Sequence, residues 1–362
     1  MSLPYHPELI DINFDEDEDD FATTESELKE YLEKLRVKID IFGAGGAGSN
    51  TINRLMKEGI NGANLIACNT DAKHLLSIKS NHKVLLGKTL TRGLGSGAEP
   101  RVGEQAAKES DREIMKFLSG ANIAFITAGL GGGTGTGAAP YIAGRARDSN
   151  TLSISVVTLP FTSEGKKRKE NADWGLERLL KNSDTVIIIP NDKLLELVPD
   201  LPLEKAFRFA DEIIVKSISG ITDLVTKPGL INLDFNDLRT VIKNSGLAMI
   251  GMGMSDEEPG ERVEKAVEKA LNSPFLDLDI SSAMGVIINV TGGRDLQLEE
   301  ASNAADMIRK KVNRQARIIW GATVDQKYDG TVEILIIATG LKKPGSLNLG
   351  AREKSGDIDI VS

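Results

Sequence analysis

Apolar and polar positions change period along this chain, and the changes mark out its elements. The run Val37-Lys-Ile-Asp-Ile-Phe42 alternates apolar with polar and runs into glycines, the pattern of a strand entering a turn. Four more short β-branched runs follow, at Ala63–Cys68, Ile123–Thr127, Ser153–Thr158 and Thr185–Ile189, spaced for helical crossovers. Continuously apolar strands of this kind suit a parallel sheet covered by helices on both faces. Residues 204–226 take a helical period, with Phe207, Ala210, Ile214, Ile218, Ile221 and Val225 on one face; Lys227-Pro228-Gly229 ends the helix. A second block has strands expected at Leu247–Met252, Gly285–Val290, Ile318–Thr323 and Val332–Thr339, with fewer crossovers, and reads as a smaller α+β domain. Five segments are expected: an arm at 1–36, a Rossmann-like parallel-sheet α/β domain at 37–203, a long central helix at 204–227, an α+β C-terminal domain at 228–341 and a tail at 342–362. The arm has room for a short helix through Leu28, Tyr31, Leu32 and Leu35.

Charge sharpens this picture. The chain carries 44 Lys+Arg and 53 Asp+Glu over 362 residues. Residues 1–36 hold 12 acids and 3 bases, including Asp15-Glu-Asp-Glu-Asp-Asp20, which leaves 41 of each sign in the body. A neutral body has no broad basic field, so nucleic acid is not an expected partner. No apolar stretch approaches the roughly 18–20 residues of a bilayer span, and the first residues lack the basic and apolar regions of a secretion signal. The single cysteine, Cys68, excludes an internal disulfide or a zinc site built on Cys pairs, and His6, His74 and His82 are too scattered for a His-based one.

The chemistry lies in glycine loops. Gly43-Ala-Gly-Gly-Ala-Gly-Ser-Asn50 follows a strand, precedes a helical pattern and matches G-x-G-x-x-G; Asp71 lies 23 residues beyond Gly48. Alone, this fits a dinucleotide site or a tight turn equally well. Gly129-Leu-Gly-Gly-Gly-Thr-Gly-Thr-Gly137 also lies between a strand and a helix start. Its crowded glycines cost conformational entropy, and an anion nest with Thr134 and Thr136 hydroxyls as extra donors accounts for them. A dehydrogenase leaves this second loop unexplained. No Walker loop is present, because His82 stands where the first glycine before Gly87-Lys88-Thr89 belongs. A third loop, Arg92-Gly-Leu-Gly-Ser-Gly-Ala-Glu-Pro100, reads as a simple connection or as a cover over a terminal phosphate.

With Asn69-Thr-Asp71, Pro160-Phe-Thr-Ser-Glu-Gly165 and Gly229-Leu-Ile-Asn-Leu-Asp-Phe-Asn-Asp237, these loops stand in the order found in FtsZ, and residues 37–341 resemble that family of tubulin-like cell-division GTPases. The acidic arm and short tail are similar to archaeal members. The resemblance implies GTP/GDP bound by Gly46, Ala47, Gly48, Ser49 and Asn50, and by Gly131, Gly132, Gly133, Thr134, Gly135, Thr136 and Gly137. Glu164 and Arg168 would meet ribose or phosphate, although on spacing alone they form an ion pair across one helical turn. Asn191, Phe207 and Asp211 would read the base, Phe207 by stacking and Asp211 by accepting the two donors that guanine offers and adenine lacks.

The resemblance also implies catalysis by Asn232, Asp234 and Asp237, inserted into the site of the next copy in a head-to-tail filament; on spacing alone Asp234 is a helix N-cap. Mg²⁺, with K⁺ as a further ion, is the implied counter-ion of the phosphates, and Asp71 an indirect ligand through water. The tail Gly356-Asp-Ile-Asp-Ile-Val361 would dock on a membrane-anchoring protein, with no direct membrane insertion, and the location would be the cytoplasmic mid-cell division ring. One departure stands out: Ala98 and Glu99 occupy positions where the family usually has Gly and Asn, in the loop implied to sense the γ-phosphate.

Overall fold

The computed structural model describes residues 37–60, 62–197, 202–226 and 234–342, without the side chains of residues 197, 203 and 204; the acidic arm, the helix stop at Lys227–Gly229, Asn232 and the tail lie outside the described residues. The body opens with β1 (Ile39–Ala44), α1 (Gly45–Glu58), β2 (Ala63–Asn69), α2 (Ala72–Ser77) and β3 (His82–Leu85). It continues through α3 (Pro100–Glu109), α4 (Asp111–Leu118), β4 (Ile123–Gly129), α5 (Thr134–Asp148), β5 (Leu152–Leu159), α6 (Lys166–Asn182), β6 (Thr185–Pro190) and α7 (Asp192–Leu197). The long helix α8 (Leu203–Thr226) leads to α9 (Phe235–Ile242), β7 (Gly246–Ser255), α10 (Arg262–Leu271), β8 (Gly285–Gly292), α11 (Leu298–Arg309), β9 (Arg317–Val324) and β10 (Val332–Thr339).

All ten strands form one sheet in the order β3-β2-β1-β4-β5-β6-β7-β10-β8-β9. The run from β3 to β7 is parallel, whereas β10 is antiparallel to both β7 and β8. The apolar pattern reveals each strand but not that the second block continues the first sheet. The join is made at the start of β6: Thr185 pairs with Gly246, and the Thr185 hydroxyl donates to the Ile242 carbonyl at 2.6 Å.

Both sheet faces are covered, as continuously apolar strands require. Along β1, Ile39 and Ile41 pack toward the layer of α1, α8 and α9, while Phe42 and Ala44 pack toward α3, α4, α5 and α6. On the second side small residues bring helices very close. A Cβ on Gly137 of α5 would stand 2.0 Å from the Pro100 carbonyl oxygen of α3.

Strand order reverses between β1 and β4, so a crevice opens at their carboxyl ends, the usual ligand position of such sheets. The 24 residues of α8 span about 36 Å. One end lies over α1 near this crevice, where Asp211 meets Thr51; the other ends at Thr226, against Gly62 at the amino end of β2.

Candidate functional site

Two helices begin side by side at the crevice. α1 starts directly after β1, with Ala44 in the N-cap position, and α5 starts after Gly133; neither receives a side-chain cap, and neither has an acid in its first turn. Their first N–H groups are therefore left for another acceptor, and the two helix dipoles present positive ends to one place. The starts touch backbone to backbone. Gly45 has φ +73°, and a Cβ on it would lie 2.6 Å from the Gly135 nitrogen. Gly46 and Ala47 are exposed, whereas Gly48 and Ser49 are buried, Gly48 against the Thr127 carbonyl. The Ser49 hydroxyl is buried without a partner. Asn50 places its Oδ1 3.2 Å from His74 Nε2.

Three loops are tied together by hydroxyls. Thr134 Oγ1 lies 2.6 Å from Thr70 Oγ1 and 2.9 Å from Ser96 Oγ, linking the second and third glycine loops to the end of β2. Thr136 differs from its expected place as a donor facing the nest: it is fully buried, and its hydroxyl accepts the Gly131 N–H at 2.9 Å. It shapes the loop from inside. Gly131 has φ +108°, Gly132 has open space where a side chain would stand, and a Cβ on Gly133 would come 2.7 Å from the Glu99 nitrogen. In the third loop Gly95, Gly97 and Ala98 all have positive φ, with Ala98 at +60°. Glu99 is exposed and makes no capping bond to α3.

Asp71 caps α2 by accepting the His74 N–H at 2.9 Å. Among the described residues no group of three or more His, Cys, Asp or Glu side chains is placed to hold a metal ion.

The far wall of the crevice is built by β5, β6 and α8. Glu164 accepts the Phe161 N–H at 2.9 Å and receives Arg168 at 2.7 Å, so the pair is already formed. Asn191 is buried with its Oδ1 unpaired. Phe207 is 40% exposed and stands edge-on to Phe161, ring centroids 5.3 Å apart. Asp211 sits 3.5 Å from the Thr51 hydroxyl. Burial pushes its carboxyl up to about 6, against the opposing pull of Arg54 and Thr51. An aromatic face, an unpaired amide oxygen and a poorly solvated carboxyl thus line one side of the crevice.

Asp234 and Asp237 are elsewhere. Both are exposed on the first turn of α9, where Asp234 accepts the Asn236 N–H at 3.0 Å as N-cap. α9 is fastened to the amino ends of the strands: Arg239 donates to Asn150, just before β5, and the Val241 carbonyl accepts from Thr339 at the end of β10. The eight residues of β5 put about 26 Å between that pole and the crevice. One copy of the chain does not bring these acids to its own glycine loops.

A family model described as the Tubulin/FtsZ family GTPase domain matches residues 38–199, and one described as the FtsZ family C-terminal domain matches residues 246–342. Cell division protein FtsZ 1 of Thermococcus kodakarensis is 54% identical over 323 residues, 89% of this chain and 86% of the relative. The chain belongs to the FtsZ family, the tubulin-like GTPases of cell division. Among solved structures, an empty FtsZ dimer of M. jannaschii is 50% identical with a TM-score of 0.83, covering 87% of this chain and 91% of that one. A GTPγS-bound CetZ2 protofilament of Haloferax volcanii, 20% identical with a TM-score of 0.73 over 85% of this chain and 94% of that one, shares the fold.

Within this FtsZ fold, spacing and motif missed several residues that the crevice uses. Thr70 and Ser96 were visible only as parts of short motifs, and Thr51 not at all. Their signal is a polar side chain in a segment otherwise committed to burial, which becomes legible once the loops are seen together.

Proposed function

We propose that GTP occupies the crevice with its phosphates on the first turns of α1 and α5, held by the backbone of Gly46–Asn50 and Gly131–Gly137. In this reading Glu164 and Arg168 take the ribose. Phe207 covers the base, and Asn191 and Asp211 accept its donors. Guanine presents N1–H and a 2-amino group to one carboxylate; adenine has no such pair, so Asp211 sets the preference. Mg²⁺, with K⁺ as a further ion, would offset the phosphate charge, reached by Asp71 only through water. Family membership removes the dinucleotide oxidoreductase as an alternative.

Hydrolysis would take place between copies. Asn232, Asp234 and Asp237 of one copy would enter the crevice of the next and orient water in line with the γ-phosphate, where positioning and charge supply most of the rate. The observation that carries this reading is the separation of Asp234 and Asp237 from the glycine loops, at opposite ends of the same strands. A contact joining two different surfaces repeats head to tail and builds a filament unless it closes. We place the domain boundaries at 37–203, 204–227 and 228–341, where strand–helix alternation gives way to the long helix and then to the second block of strands. The tail would dock on an anchoring protein, and the filament would work in the cytoplasmic mid-cell ring.

Phosphate release measured against protein concentration, with GTP and then ATP, tests the proposal. Activity per molecule should rise with concentration for GTP and stay at background for ATP. Activity per molecule that is constant to high dilution would show a self-contained site and end the filament mechanism.

A further inference from the structure

Asn171 lies on α6, three residues after Arg168, and its side chain reaches two of the glycine loops. It is 93% buried. Its Nδ2 donates to two backbone carbonyls, that of Ala98 at 3.0 Å and that of Gly131 at 3.2 Å. These carbonyls belong to different loops, the third glycine loop and the second.

The pairing has a chemical logic. Ala98 and Gly131 both have positive φ, at +60° and +108°. Left-handed residues placed next to right-handed ones turn successive N–H groups inward to make an anion nest, and carbonyls then point outward and need donors of their own. An amide NH₂ has two hydrogens, and here it meets two carbonyls. The loops are also in contact in front of this point, because a Cβ on Gly133 would come 2.7 Å from the Glu99 nitrogen. Asn171 therefore spans the back of a seam whose front faces the ligand.

We infer that Asn171 is a positioning residue that sets the spacing of the two phosphate loops, and so the distinction between GTP and GDP. The inference rests on the proposed seating of GTP, with the third loop over the terminal phosphate. The diphosphate would be held by the helical N–H groups at the starts of α1 and α5, Gly46–Asn50 and Thr134–Gly137, none of which Asn171 bonds; its bond in the second loop is to Gly131, ahead of the helix. The γ-phosphate has to meet the second and third loops at once. Loss of the amide frees the third loop, and only the triphosphate loses contacts.

The test compares GTP and GDP affinity, by calorimetry on the full chain, in the native protein, Asn171→Leu, Asn171→Asp and Gly46→Glu. Leu keeps the branching, with a larger volume, and removes both donors; Asp keeps the shape and sets a carboxylate against two carbonyls. Expected for both is a loss in GTP affinity of about tenfold with GDP held within about twofold, as for one lost pair of hydrogen bonds. Thermal unfolding identifies a variant that has not folded, and the other then decides. Equal losses for GTP and GDP, or unchanged GTP affinity, overturn the role of Asn171. Gly46→Glu separates this from the underlying reading: it should lose both nucleotides, since a carboxylate at that exposed helix start would repel phosphate. Retention of both by Gly46→Glu overturns the phosphate site itself.

Discussion

Gly45 and Gly135, the first residue of α1 and the second of α5, stand so close that a single methyl group on Gly45 would come within 2.6 Å of the Gly135 nitrogen. Two helix starts from separate motifs thus form one continuous surface. Gly45→Ala has to separate them and also accept φ +73°, at a cost of about 1–3 kcal/mol. Denaturant unfolding should show that loss, and a GTP titration should show weakened binding in the fraction that folds.

Gly46 has the opposite surroundings, with open space where a Cβ would stand. A carboxylate there lies at the start of α1 and favours the helix by about 0.3–1 kcal/mol. Gly46→Glu is therefore expected to melt at or above the native temperature in the absence of nucleotide while failing to bind GTP. A scan with and without GTP checks both halves, since GTP should raise the native midpoint alone.

Asp211 gives a pH signature. Its folded pKa of about 6 lies above the unfolded value, so nucleotide-free stability is greatest below the unfolded pKa and falls as pH rises through 6. Asp211→Asn should stabilise the empty protein at pH 7.5, by up to about 3 kcal/mol. Guanine donors favour the charged carboxylate, so GTP binding near pH 6 should release a proton. Calorimetry in buffers of different ionisation enthalpy measures that release, which Asp211→Asn should abolish. Asp211→Ala should weaken GTP binding and narrow the gap between GTP and ATP.

Mixing variants tests catalysis between copies. Asp211→Ala weakens one surface and Asp234→Ala with Asp237→Ala removes the other, so each preparation alone should hydrolyse GTP poorly at limiting nucleotide. The double variant should still bind GTP. In an equal mixture about one contact in four joins two intact surfaces, and phosphate release should recover to about a quarter of native. No recovery on mixing would count against the arrangement.

Ala98 holds a left-handed conformation at φ +60° with an exposed side chain. The left-handed region costs a non-glycine residue about 1–2 kcal/mol, and glycine returns about 0.5–1 kcal/mol of that through unfolded-chain entropy. Ala98→Gly should therefore stabilise the protein by about 0.5–1 kcal/mol, read from denaturant midpoints at constant slope.

The strands and the glycine loops were legible because burial on both faces, positive φ and close backbone approach leave local marks, in apolar runs such as Thr185–Ile189 and in the spacing of Gly43, Gly45 and Gly48, where Gly45 has positive φ and Gly43 and Gly48 have no room for a Cβ. The short β3 leaves almost none: two of its four residues, His82 and Lys83, are exposed. The continuity of the sheet was not legible either, since Thr185 and Gly246 meet across 61 positions by a pairing that no local period encodes. The inward turn of Thr136 and the two hydrogen bonds donated by Asn171 belong to the same class. Each is decided by which backbone groups are left unpaired after the loops pack, and that is known only in three dimensions.

The long helix α8 has Phe207 and Asp211 near one pole and leads toward Asp234 and Asp237 at the other. In a row of such copies every molecule would therefore hold one nucleotide, and every molecule but the one at an end would police a second that it does not own. The two ends of the row are then unlike: at one, a nucleotide lies with no acids above it, and at the other a pair of acids faces nothing. On that arrangement a row of n copies would have n − 1 working centres. A lone copy would have none, and the last nucleotide in any row would outlive the rest until another molecule arrives.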